Sequence, residues 1–150
     1  MLLMLCGLVL VSCQSAHRDT NKCGPCPLIA EVAPYLEVRI VDKTSGADLF
    51  LSPGSPYQFS DLVVSSPLSG TSLAIGVDNT QKDNRFVRVI CTESQTFTFK
   101  LAALAPDSVN VVIARDSPVC CPRTRVKRIT LDNTLVCSPC SLAQLITIRK

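Results

Sequence analysis

From Leu36 onward the apolar residues recur at every second position. Leu36, Val38 and Ile40 alternate with Glu37 and Arg39. Leu73, Ile75 and Val77 alternate with Ala74 and Gly76, and Phe97, Phe99 and Leu101 with Thr98 and Lys100. Val109, Val111 and Ile113 alternate with Asn110 and Val112. A period of two sends successive side chains to opposite faces, so each run reads as a strand with one face buried. Turn residues separate the runs: Thr44-Ser45-Gly46, Ser52-Pro53-Gly54, Pro67-Leu68-Ser69-Gly70, Asp78-Asn79, Lys82-Asp83-Asn84, Pro106-Asp107 and Asp132-Asn133. The spacing predicts strands over 36–42, 48–51, 61–64, 72–78, 86–91, 95–102, 108–115, 125–131, 134–138 and 144–149. Repeated short strands of this kind predict an all-β fold, an antiparallel β-sandwich. A turn of helix is expected between Leu28 and Ala33, closed by Pro34. A chain of 150 residues is one domain's length.

One strand breaks its own parity. In Arg123-Thr-Arg-Val-Lys-Arg-Ile-Thr-Leu131, Val126 belongs on the buried face, and so do Ile129 and Leu131. An odd spacing separates Val126 from Ile129. One extra residue at Lys127-Arg128 repairs it, which predicts a β-bulge there. Without the bulge Arg128 is driven into the core, a costly place for an unpaired charge.

The first twelve residues, Met1 to Ser12, are uncharged and almost wholly apolar. They are too few to span a bilayer, which takes ~20 residues, and they match the apolar region of a secretory signal. Cys13 follows directly. The tetrad Leu10-Val11-Ser12-Cys13 resembles the lipobox of bacterial lipoproteins. The resemblance implies cleavage between Ser12 and Cys13, lipidation of Cys13, and attachment to a membrane through that lipid. Gln14 in place of Asp implies, by likeness to enterobacterial sorting, the outer membrane. No Lys or Arg precedes Arg18, a departure from the usual basic start of a signal. Residues 14–22 are polar and aperiodic, so residues 13–22 read as a lipidated tether and residues 23–150 as the folded domain. The one histidine, His17, falls in the tether. This placement excludes a Ser-His-Asp triad, a Cys-His pair and a multi-His metal site within the domain.

The chain has nine cysteines. Cys6 leaves with the signal and Cys13 takes the lipid, which leaves Cys23, Cys26, Cys91, Cys120, Cys121, Cys137 and Cys140. In an oxidising compartment these predict disulfides, and their odd number predicts one free thiol. Cys91 closes the alternation Val87, Val89, Cys91 and is expected on a buried face, as the free one. Adjacent Cys120 and Cys121 would point to opposite sides of a strand and are expected to have different partners, a vicinal bond between them being the strained alternative. Cys23-x-x-Cys26 and Cys137-x-x-Cys140 are expected to staple the two chain ends to the sheet. Two sharper chemistries compete. Cys23-Gly24-Pro25-Cys26 resembles the dithiol motif of thioredoxin-like proteins, but Lys22 precedes it, Pro27 follows it, and no βαβ pattern surrounds it. Paired CxxC motifs also resemble a structural zinc site, although the gap from Cys26 to Cys137 far exceeds a zinc ribbon. No metal site and no cofactor is expected.

Arg39-Ile-Val-Asp-Lys-Thr-Ser-Gly-Ala-Asp-Leu49 resembles the opening hairpin of carboxypeptidase-regulatory-like, transthyretin-like and immunoglobulin-like domains of bacterial surface proteins. The later Asp48-Leu-Phe-Leu-Ser-Pro-Gly segment and the double Cys before a basic strand are similar to small uncharacterised lipoproteins of the Bacteroidetes type. These resemblances imply a β-sandwich and bring no activity. The later Thr-Asp-x-x-Gly pattern of the regulatory-like domains is missing.

Asp42 with Asp48, and Asp78 with Asp83, flank turns and are expected to cap them rather than to catalyse. No Asp-x-Asp-x-Asp-Gly calcium loop is present, and the six glycines are too scattered for a phosphate-cradling loop. The most suggestive surface feature is basic. Arg123, Arg125, Lys127 and Arg128 lie together, and Arg123, Arg125 and Lys127 share strand parity as a cationic stripe. Such a stripe fits anionic lipid headgroups, an anionic glycan or an acidic envelope protein. Its plainer reading is a charged edge strand that resists aggregation. Nucleic acid is not an expected partner, since export separates the two and no aromatic platform lies nearby. The expected function is therefore non-enzymatic, structural or partner-binding, in the cell envelope. The alternative is thiol-redox or metal handling through the CxxC pairs.

Overall fold

The computed structural model describes residues 33–68, 76–78, 85–115, 123–141 and 143–150. Nine strands lie within them: β1 (Tyr35–Val41), β2 (Leu62–Ser65), β3 (Gly76–Asp78), β4 (Phe86–Ile90), β5 (Gln95–Leu101), β6 (Asp107–Arg115), β7 (Thr124–Leu131), β8 (Thr134–Cys137) and β9 (Ala143–Arg149). They form two sheets, one of order β3-β4-β1-β9 and one of order β2-β5-β6-β7-β8. The all-β expectation holds, and the alternation locates the strands to within a residue or two. The expected helical turn lies, apart from Ala33, outside the described residues. The same is true of 72–75 and the turn residues 79–84.

The alternating residues of both sheets meet in one core. Leu36, Val38, Ile40, Val87 and Ile146 enter it from the first sheet, and Phe97, Phe99, Val109, Val111 and Ile129 from the second. Phe97 and Phe99 are its largest fully buried side chains. Burial of such side chains contributes about 1.5–3 kcal/mol each, so this one surface is the main source of stability.

Two expectations need correction. The sheets are not wholly antiparallel. β9 pairs in parallel with β1, from Tyr35 opposite Ala143 to Val41 opposite Arg149. The cause is the crossing from one sheet to the other. β8 belongs to the second sheet, so β9 cannot return beside it as a hairpin. It joins the first sheet at the side of β1 that β4 leaves open. Lys150 then pairs with Asp107 at the start of β6, an ion pair that ties the two sheets together.

The predicted strand at 48–51 is the second correction. Only an isolated bridge, Val41 to Asp48, forms there. Asp48 Oδ1 accepts hydrogen bonds from the N–H groups of Phe50, Leu51 and Ser52, which curls the chain away from a ladder. Leu49, Phe50 and Leu51 are all buried, because this curl covers the margin of the core. Alternation cannot describe three consecutive buried residues.

The bulge is present. Val112 faces Arg128 and Ile113 faces Val126, so Lys127 has no partner on β6. Val126 and Ile129 are both buried, whereas Lys127 and Arg128 are exposed. The Asp132-Asn133 turn also forms, with both residues at positive φ (45° and 66°), as a two-residue hairpin of the right twist requires.

Two stability outcomes follow. Phe97→Ala should cost about 3–5 kcal/mol in urea unfolding. Deleting Lys127 should cost far less, because Val126 and Arg128 then become neighbours in an ordinary ladder with every face unchanged. A midpoint shift as large as that of Phe97→Ala would disprove this account of the bulge.

Candidate functional site

The four predicted basic residues are all exposed, at Arg123, Arg125, Lys127 and Arg128. The bulge changes how they are grouped. In a regular strand Arg125 and Arg128 would face opposite sides. Here Arg125 pairs with Ala114 and Arg128 with Val112, two positions apart on β6 and therefore on one face. That face is the outer one, since Val111 and Ile113, which alternate with Val112 and Ala114, pack toward the core. The two guanidinium-bearing residues thus sit two rows apart, about 7 Å along the strand. Lys127, the extra residue, is exposed and lies between them in the chain.

β7 is not an edge strand along its whole length. β8 covers it only from Ile129 to Leu131, and no described strand pairs with its outer side from 124 to 128. The basic residues therefore occupy an open half of an otherwise interior strand. A charged, bulged opening of this kind also deters edge-to-edge pairing. Arg123, Lys127 and Arg128 form no ion pair with a described residue.

Three neighbours of this surface escaped the sequence reading. Arg115 ends β6 opposite Thr124 and adds a fifth exposed cation. Leu135 lies opposite Thr130 on β8 and is 58% exposed. Val136 is 37% exposed and sits at a second irregularity, since Ile129 faces Cys137 while Thr130 faces Leu135. The signal was available in part: Leu135 and Val136 are adjacent apolar residues in a strand too short to bury both.

Cys137 and Cys140 bond to each other, with Cα atoms 5.2 Å apart. This corrects the expected staple from this pair to a distant part of the sheet. The chain turns through Ser138-Pro139 and brings the two thiols together. The bond rests at the margin of the core, both residues being half-buried. Cys23, Cys26, Cys120, Cys121 and Cys13 lie outside the described residues, as does His17.

Cys91 is free and fully buried, as its alternation implied. Burial pushes its thiol up to about 12, because a thiolate there would be stripped of water. It is therefore a core residue and not a nucleophile. Asp42 is held below the usual carboxylate range, chiefly by the N–H of Ser45, with the Ser45 hydroxyl and the Thr44 N–H adding to it. This is turn capping, the expected role. A lowered folded-state value means the contribution is present above the unfolded carboxylate range and is lost as pH falls through the folded value. Asp48 is likewise spent on its turn.

On the outer face of the first sheet, Arg88 lies 4.2 Å from the Tyr35 ring centroid and 5.9 Å from that of Phe86, and pairs with Glu37 at 3.5 Å. The register places Glu37 opposite Arg88. The cluster was invisible in the sequence because it needs the β1–β4 pairing. Among the described residues no group of three or more His, Cys, Asp or Glu side chains is placed to hold a metal ion.

Comparison with protein-family models, curated proteins and solved structures finds no match to this chain.

The thiol assignments are open to test. Native protein should leave Cys91 unreacted with a maleimide or an aromatic disulfide reagent, and urea should expose it. Rapid native labelling at Cys91 would overturn its placement. Non-reducing peptide mapping should recover Cys137 and Cys140 as one linked pair.

Proposed function

We propose that the chain is a lipid-tethered, non-enzymatic protein of the bacterial cell envelope, with a structural or partner-binding role. The observation that carries this reading is the tetrad Leu10-Val11-Ser12-Cys13 behind an uncharged apolar run. Lipidated Cys13 holds the protein at the outer membrane, residues 14–22 form the tether, and the domain is a β-sandwich. The Cys137–Cys140 bond supports an oxidising compartment, where such bonds persist. The exposed cations of β7 are the surface on which an anionic partner would be met.

The test is Cys13→Ala, followed by cell fractionation and labelling with radioactive palmitate. Loss of label and release from the membrane fraction are expected. Unchanged membrane attachment would count against the anchor.

A second reading has one observation in its favour. The Cys137–Cys140 bond is local and half-buried, as a working dithiol pair would be. Redox catalysis gains from a helix N-terminus that stabilises the thiolate, and here the pair is followed by β9 instead. Equilibration with a glutathione buffer distinguishes the readings. A structural bond stays closed at envelope-like potentials, whereas ready opening would favour the thiol-redox role.

A further inference from the structure

We infer that the open end of β6–β7–β8 is a docking surface for anionic phospholipid headgroups, which lays the domain against the bilayer that its tether reaches. The inference deepens the lipoprotein reading and rests on it for the presence of a membrane.

Charge is the first ground. Arg115, Arg123, Arg125, Lys127 and Arg128 are all exposed at this one end of the sheet. Asp116, next to Arg115 in the chain, lies outside the described residues, and the nearest carboxylates among the described ones are mostly elsewhere. Asp132 is in the hairpin turn at the other end of β7, where its Oδ1 accepts the N–H of Ser108. Asp107 is paired with Lys150. Glu93 is the one described carboxylate beside the surface. It adjoins Ser94, whose hydroxyl bonds to the backbone of Ile113. With Arg125 set aside, since it has an interaction of its own, four cations stand against at most Glu93 and Asp116, and the net positive field is one that an anionic surface would neutralise.

The second ground separates a bilayer from a glycan. Leu135 and Val136 stand exposed on β8, with Leu135 opposite Thr130, two residues along β7 from Arg128 on the side toward the hairpin turn. Cations flanking projecting aliphatic side chains match the headgroup boundary, where charge meets lipid phosphate and the apolar groups enter the acyl region. A sugar chain instead calls for aromatic stacking or amide ladders. All 5 Phe and 2 Tyr of the chain lie before Leu101, and the chain has no Trp. None is on β6, β7 or β8.

Reach is the third ground. The tether from Cys13 to Lys22, at ~3.3–3.6 Å per residue, reaches at most about 30 Å. A tether of that length keeps the domain close to the membrane, so surface chemistry helps decide which face meets it.

The test uses the full chain carrying Cys13→Ser, so that no lipid contributes, and measures sedimentation with vesicles. Vesicles of phosphatidylcholine alone are compared with vesicles containing phosphatidylglycerol. Binding to the anionic vesicles is expected to be at least tenfold stronger and to fall steeply with added salt. Lys127→Glu with Arg128→Glu should reduce it about tenfold or more. Leu135→Ser with Val136→Ser should weaken binding while leaving its salt dependence. Lys100→Glu, on the same sheet but away from this end, should leave it unchanged. Urea midpoints establish that each variant is folded, and a misfolded charge reversal is replaced by Lys127→Gln with Arg128→Gln. Equal binding to both vesicle types, or no effect of the charge changes, would overturn the inference. So would binding to a sulfated polysaccharide without binding to vesicles. Failure here with retained palmitate labelling would leave the anchor standing. Success here with no labelling would do the reverse.

Discussion

Every feature of this domain depends on strand parity around one shared apolar core. Two sheets contribute alternate residues to it, and a single step out of phase would exchange a buried valine for a charged neighbour. The penalty for that exchange is large on both sides, since it exposes apolar area and buries a charge. The chain meets the constraint at its weakest point, the basic stretch of β7, by adding a residue and not by changing one. The same device that protects the core sets Arg125 and Arg128 on one face. Packing and surface chemistry are thus joined at Lys127.

Much of the fold was legible because parity is local. Phe97, Phe99, Val109 and Val111 announce their strands within a few residues, and the mismatch of Val126 with Ile129 announces the bulge. Cys91 was legible for the same reason, being the last term of an alternating series. What stayed hidden was non-local. Nothing in the text of β9 says that it lies parallel to β1, because that follows from which sheet β8 occupies. The stacking of Arg88 on Tyr35 needs a register that joins residues far apart in the chain. Leu49 to Leu51 misled for a different reason: Asp48 captures three backbone donors and overrides a strand-like composition.

The candidate site divides in the same way. The four basic residues were readable as a group, and their exposure agrees with that reading. Their arrangement was not, since it depends on the bulge and on how little of β7 the short β8 covers. The cysteines show the opposite balance. Alternation singles out Cys91 as a buried free thiol, but counting cannot choose between a short loop and a distant staple. The small loop from Cys137 to Cys140 closes because proximity along the chain makes it the easiest encounter.

The parallel pairing of β1 with β9 carries a consequence for how the protein is made. A polypeptide that emerges N-terminus first presents β1 long before β9 exists to lie beside it. One whole flank of that first strand must wait, with only β4 available to shelter the other. Long-range closure of this kind is slow and leaves an unpaired edge in the meantime. The domain is therefore a latch whose bolt arrives last, and the chain has no finished first sheet until β9 has joined it.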